Sequence, residues 1–118
     1  MAIYRIIAAV NTAPGHFDGY LPGDRIAAVT SRRGAVRPIV FAIDADDAAA
    51  ALEAMWVIGN RVTDDRGGRC WPSDVRSLST GDVLAVFAPG YPLETQDVDT
   101  YAVASTGFDP VPAPDPSA

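Results

Sequence analysis

The sequence predicts an α+β domain: a mostly antiparallel sheet of about five strands with one main helix, over about 44–59, packed on a face. Three observations carry that expectation. Short runs rich in Val, Ile, Ala and aromatics recur along the chain, separated by Gly, Pro and Asp turn signals. One stretch, Ala48–Ile58, has helical spacing instead. Finally, Arg76-Ser-Leu-Ser-Thr-Gly-Asp-Val-Leu-Ala-Val-Phe87, answered by Tyr101-Ala-Val-Ala-Ser-Thr-Gly-Phe108, reads as a long-looped hairpin that closes the fold. The alternative is a small, partly open β-barrel with one helix; a Gly-Asp turn feeding a strand also opens the barrels of small RNA-binding domains, which is what keeps a nucleic-acid-binding reading in view.

In order, Ile3–Val10 is apolar on both alternating faces, which suits a strand covered on both sides. Asn11–Gly19 is a loop, and Tyr20-Leu-Pro-Gly-Asp24 a turn with adjacent Pro and Gly. Arg25–Ser31 is expected as the second strand and Ala35–Ile43 as the third, placed at an edge or begun after Pro38, which cannot donate to a ladder. Asp44 is the expected N-cap of the helix, with Asp46 and Asp47 in its first turn. Ala48, Leu52, Met55 or Trp56, and Gly59 share a face, Gly59-Asn60 supplies a left-handed stop, and Arg61 places a cation at the carboxyl end.

Arg61–Asp74 is the longest irregular stretch, with a Gly-Gly pair, both signs of charge and Trp71. Val83–Phe87 and Thr100–Thr106 are the fourth and fifth strands, joined by the long loop Ala88–Asp99. Residues 1–108 form a single domain in this reading, and 109–118 a Pro-rich extended, solvated tail.

Charge is unevenly distributed. The net charge is −6. Residues 1–76 hold nine arginines and nine acids, whereas 77–118 hold six acids and no base. Such a chain is poorly suited to neutralising phosphates, so nucleic acid is a disfavoured partner. The apolar amino terminus has no basic region ahead of it, is interrupted by Arg5 and is too short to span a bilayer. No membrane association is expected, and the location expected is the cytoplasm. The single cysteine, Cys70, precludes an internal disulfide.

Catalytic constellations are scarce. The one histidine, His16, and Cys70 have no local sequence that would pair them as nucleophile and base. There is no Gly-x-Ser-x-Gly elbow, no Walker lysine and no cysteine–histidine set for zinc. Asp46-Asp47 and Asp64-Asp65 are adjacent pairs whose side chains diverge, the first serving a helix terminus and the second a weak cation candidate. The protein is read as non-enzymatic, with no cofactor and no metal.

The closing segment resembles a known family. Arg76-Ser-Leu-Ser-Thr-Gly-Asp-Val83, followed by Tyr101-Ala-Val-Ala-Ser-Thr-Gly-Phe108, resembles the shared ending of small proteins of unknown function encoded by actinobacterial phages and mobile elements. It is similar, too, to the YodL-like domain, found on conjugative elements beside antirestriction proteins. Tyr20-x-Pro-Gly-Asp24, an apolar strand and an acidic-capped helix running into Gly-Asn are similar to the amino-terminal half of those proteins. The likeness runs in order through most of residues 1–108, and its ending is the specific part. Thr80 replaces an expected valine, a change that suits a turn. The resemblance supplies no catalytic residues and implies a genomic setting rather than a reaction.

The expected function is therefore that of a phage- or mobile-element-encoded accessory protein that binds a host protein, of the host-takeover or anti-defence type, with a homo-oligomer allowed. Its partner surface is expected around Trp71, with Arg66, Arg69, Asp64 and Asp65, because Trp and Arg dominate interface energetics. The competing reading folds Trp71 back over the core. Ser77, Ser79, Gly81 and Asp82 are expected to build a structural turn by local hydrogen bonds. A nucleic-acid or nucleotide-binding module is the second function class. A small enzyme is the third, and would need several of Arg66, Arg69, Asp64, Asp65 and His16 to converge on a pocket.

Overall fold

The computed structural model describes residues 2–12, 19–20, 24–31, 37–72, 75–89, 98–104 and 106–111. His16, the centre of the Tyr20–Asp24 turn, residues 32–36, most of the Ala88–Asp99 loop and residues 112–118 lie outside the described residues. The strands are β1 (Ala2–Asn11), β2 (Ile26–Ala28), β3 (Thr30–Ser31), β4 (Arg37–Pro38), β5 (Phe41–Ala45), β6 (Val83–Phe87), β7 (Val98–Val103) and β8 (Phe108–Val111), with one helix, α1 (Ala48–Gly59). This is the α+β architecture, with a six-stranded sheet that does not close into a barrel.

β1 organises the sheet. It pairs antiparallel with β6 over residues 5–9, with β5 over residues 2–6 and with β2 over residues 9–11. A strand has two edges, and β6 overlaps both other partners in register. β5 and β2 therefore lie end to end along the edge of β1 opposite β6. β7 and β8 continue antiparallel beyond β6.

The expected second strand divides at Val29, whose amide bonds Ala8 O at 2.9 Å. Thr30–Ser31 leaves the main sheet to form a separate ribbon with Arg37–Pro38. The expected third strand correspondingly starts in the main sheet only at Phe41, after Pro38. Residues 109–111 of the expected extended tail are extended and paired with β7. Asp109, Pro110 and Val111 belong to β8, an edge strand, where a residue without an N–H is tolerated.

The helix holds, but its ends are corrected. The N-cap is Asp47, whose carboxylate accepts from Ala50 N at 2.8 Å, and no acid occupies the first turn. Asp44 lies in β5 opposite Ile3. At the other end the left-handed residue is Arg61 (φ 62), not Gly59 or Asn60. Gly59 is needed for proximity instead: a Cβ there would sit 2.5 Å from Leu78 Cβ.

Ala51, Leu52, Met55, Ile58 and Gly59 are the buried residues of α1. The first four belong to one core with Ile6 and Ala8 of β1, Phe41 and Ile43 of β5, and Leu84 and Val86 of β6. The registers place Ile6 opposite Phe41 and Val86, and Ala8 opposite Leu84, so these residues share a sheet face. Val83, Ala85 and Phe87 point to the other face, as the alternation predicts. Among the described residues, no helix is long and apolar enough to cross a membrane.

Candidate functional site

The Arg76–Asp82 turn is built around one carboxylate. Asp82 is fully buried and accepts four hydrogen bonds: from Asn11 N (2.8 Å), Ser79 N (2.8 Å), Arg76 Nη1 (2.9 Å) and Arg76 Nη2 (2.6 Å). Arg76 Nη2 also donates to Asn11 O at 2.9 Å, and Asn11 Nδ2 to Gly81 O at 3.0 Å. Gly81, at φ 93, turns the chain so that its amide reaches Val103 O at 2.8 Å. The motif thus ties the end of β1 to the start of β6 and the end of β7. Ser79 works locally, its hydroxyl accepting from Arg76 at 3.0 Å. Ser77 departs from the expectation: its hydroxyl accepts from the distant Arg61 Nη1 at 2.7 Å.

That Arg61 contact belongs to the loop leading into the turn. The Arg61 guanidinium also donates to Pro72 O (3.1 Å) and to Val75 O, rather than to the last carbonyls of α1. Trp71 is only 3% exposed. Its ring stacks on Phe41, with centroids 6.1 Å apart and planes inclined by 18°, and its Nε1 donates to Arg76 O at 2.9 Å. The indole is a core group that covers the sheet, so Trp71 does not present its ring to a partner as the interface reading expected. Burial of an aromatic this large outweighs keeping it ready for a second molecule.

Asp65 is the organising residue of the 61–72 loop. Its carboxylate accepts from Gly67 N (2.9 Å), Arg69 N (2.7 Å), Arg69 Nη1 (3.3 Å) and, across space, Ala42 N (2.9 Å). Arg66 N in turn bonds Ala42 O at 3.0 Å. Asp65 and Arg66 together imitate a strand at the outer edge of β5, supplying one acceptor and one donor where a neighbouring strand would stand. Asp64, unlike the buried Asp65, is exposed. Arg66 Nε pairs with Asp44 Oδ2 at 2.9 Å, both side chains being well exposed.

Beside this cap lies an open cleft of about 400 Å³ between β5, α1 and the loop. Ile43, Ala54, Val57 and Ile58 give it an aliphatic lining, and Asp44, Asp64 and Arg66 stand among its charged residues. Of the expected partner residues, Asp64, Asp65 and Arg66 converge here. Arg69 is held against Asp65, and Trp71 is withdrawn into the core. Ala54, Val57 and Thr63 were not anticipated. A signal for two of them existed: Ala54 and Val57 widen the apolar stripe of α1 beyond the face that the sheet covers.

A second hollow of about 240 Å³ separates α1 from the β7–β8 turn and includes Trp56, Val103 and Phe108. Among the described residues no group of three or more His, Cys, Asp or Glu side chains is placed to hold a metal ion. Compared with protein-family models, curated proteins and solved structures, the chain matches none.

Proposed function

We propose that the chain is a non-catalytic accessory protein, encoded by a phage or mobile element, that binds a host protein in the bacterial cytoplasm in a host-takeover or anti-defence role. The observation that supports it best is the cleft beside β5. An open aliphatic lining bordered by charged side chains combines apolar contact for affinity with polar groups for register. Val62, next in the chain to Thr63, is 75% exposed and adds apolar surface to the same segment. The carboxylates of Asp65 and Asp82 hold their own loops, each accepting from backbone amides and an arginine. The genomic setting rests on the resemblance of the Arg76–Val83 and Tyr101–Phe108 segments.

The test is affinity capture from an actinobacterial lysate with immobilised wild-type protein and a Val57→Asp variant. A discrete host protein held by the wild type and lost by the variant is the expected result. Enrichment of nothing over the bare tag, or retention of DNA or RNA at low salt instead, overturns the proposal.

A further inference from the structure

We infer that the cleft between α1, β5 and the 61–66 loop takes a basic, extended peptide segment of the partner, one aliphatic side chain flanked by Arg or Lys. The inference rests on the reading of the chain as a protein binder and names the chemistry of what it binds.

The lining chooses the central side chain. Ile43, Ala54, Val57 and Ile58 are aliphatic, and among the described residues no aromatic ring lines the cleft. A leucine, isoleucine or valine gains there by leaving water for apolar contact. The charged residues choose its neighbours. Asp44 and Asp64 contribute two carboxylates against the single guanidinium of Arg66, and Arg66 is already bonded to Asp44. Asp64 makes no ion pair with the described residues, so one negative charge is left over beside an apolar lining. Asp65, which also borders the cleft, is neutralised by Arg69 from the side.

The wider field agrees in sign. A chain of net charge −6 attracts a cationic segment and repels an acidic one before contact. An arginine next to the inserted side chain would meet Asp64 at the mouth, where the pairing is exposed and screened by salt.

The experiment titrates isotope-labelled protein with three synthetic peptides, followed by amide NMR shifts. One reads Gly-Arg-Arg-Leu-Arg-Gly, the second has Glu in place of each Arg, and the third has Gly in place of Leu. The first is expected to move the amides of Ile43, Val57, Thr63 and Asp64, more weakly as salt is raised, and the other two to leave them still. Asp64→Arg, an exposed change compatible with the fold, is expected to weaken binding by up to about fivefold. Val57→Asp should abolish it.

Equal binding of the acidic peptide, binding of the Leu-free peptide, shifts confined to other surfaces, or no shift with any peptide would overturn the inference. Its failure is separable from that of the host-binding reading. A lysate partner captured equally by wild type, Val57→Asp and Asp64→Arg leaves host binding standing and removes the cleft. An empty capture removes host binding itself.

Discussion

Arg76 and Asp82 face each other through two parallel contacts, Nη1 to Oδ2 at 2.9 Å and Nη2 to Oδ1 at 2.6 Å, over a carboxylate that water does not reach. The pair is a bidentate fork, a geometry an arginine provides and a lysine does not. Removing one partner leaves the other with an unmet charge. Asp82→Ala is expected to cost about 3–5 kcal/mol. Arg76→Ala should cost a comparable amount, because it strands the fully buried carboxylate, whereas the guanidinium left by Asp82→Ala is 37% exposed and can be hydrated. Arg76→Lys should recover only part of the loss. Urea unfolding of the three variants checks the order, and equal stability of wild type and Asp82→Ala would refute it.

Asp65 predicts a local effect rather than a global one. Asp65→Ala removes the acceptor for three backbone amides, those of Ala42, Gly67 and Arg69. Hydrogen bonds to a charged group contribute about 1.5–3 kcal/mol each before the loop relaxes. Hydrogen exchange should accelerate at Ala42, Gly67 and Arg69 while Asn11 and Ser79 keep their protection. Uniform acceleration across both sets would mean that the loop is not an independent cap.

Trp71 separates packing from hydrogen bonding. Trp71→Ala is expected to cost about 3–5 kcal/mol by opening a cavity against Phe41. Trp71→Phe keeps much of the packing but leaves Arg76 O without its indole donor, and should fall between wild type and Trp71→Ala. Thermal melts of the series decide. A Trp71→Ala protein as stable as wild type would contradict the stacked core.

Gly59 gives a prediction opposite to helix propensity. In an exposed helix interior Gly→Ala stabilises by up to about 1 kcal/mol. Here the added methyl would meet the Cβ of Leu78 at 2.5 Å, so Gly59→Ala should destabilise by about 1–3 kcal/mol. Leu78→Ala should not rescue it, because the clash is with a Cβ that alanine retains. A gain in melting temperature for Gly59→Ala would show that the helix end can shift aside.

These residues also mark where the sequence is legible. The centre of α1 can be read because Leu52, Met55 and Ile58 repeat at helical spacing, a purely local signal. Its cap cannot. Asp44, Asp46 and Asp47 all suit an N-cap, and the choice is made by β5 continuing to Ala45 so that it can pair with Ala2. β8 is hidden for the same reason, since Asp109-Pro110-Val111 has tail composition and becomes a strand only because β7 leaves an edge to fill.

In the site, the structural character of Ser79, Gly81 and Asp82 follows from turn chemistry. The partners of Asp82 at Asn11 and of Asp65 at Ala42 are 71 and 23 residues away. No local pattern encodes those distances. Trp71 illustrates the limit of composition: Trp and Arg together suit an interface and a covered core equally, and the ring of Phe41 decides.

The bond between Asn11 and Asp82 spans 71 residues, and it sets a timetable for synthesis. At ribosomal rates of about 5–20 residues per second, that interval takes roughly 4–14 s. Throughout it the aliphatic first strand has emerged without its β6 neighbour or the carboxylate that fixes its end. β2 and β5 precede β6 in the chain, so until residue 87 has been added the edge of β1 that pairs with β6 has no strand to pair with.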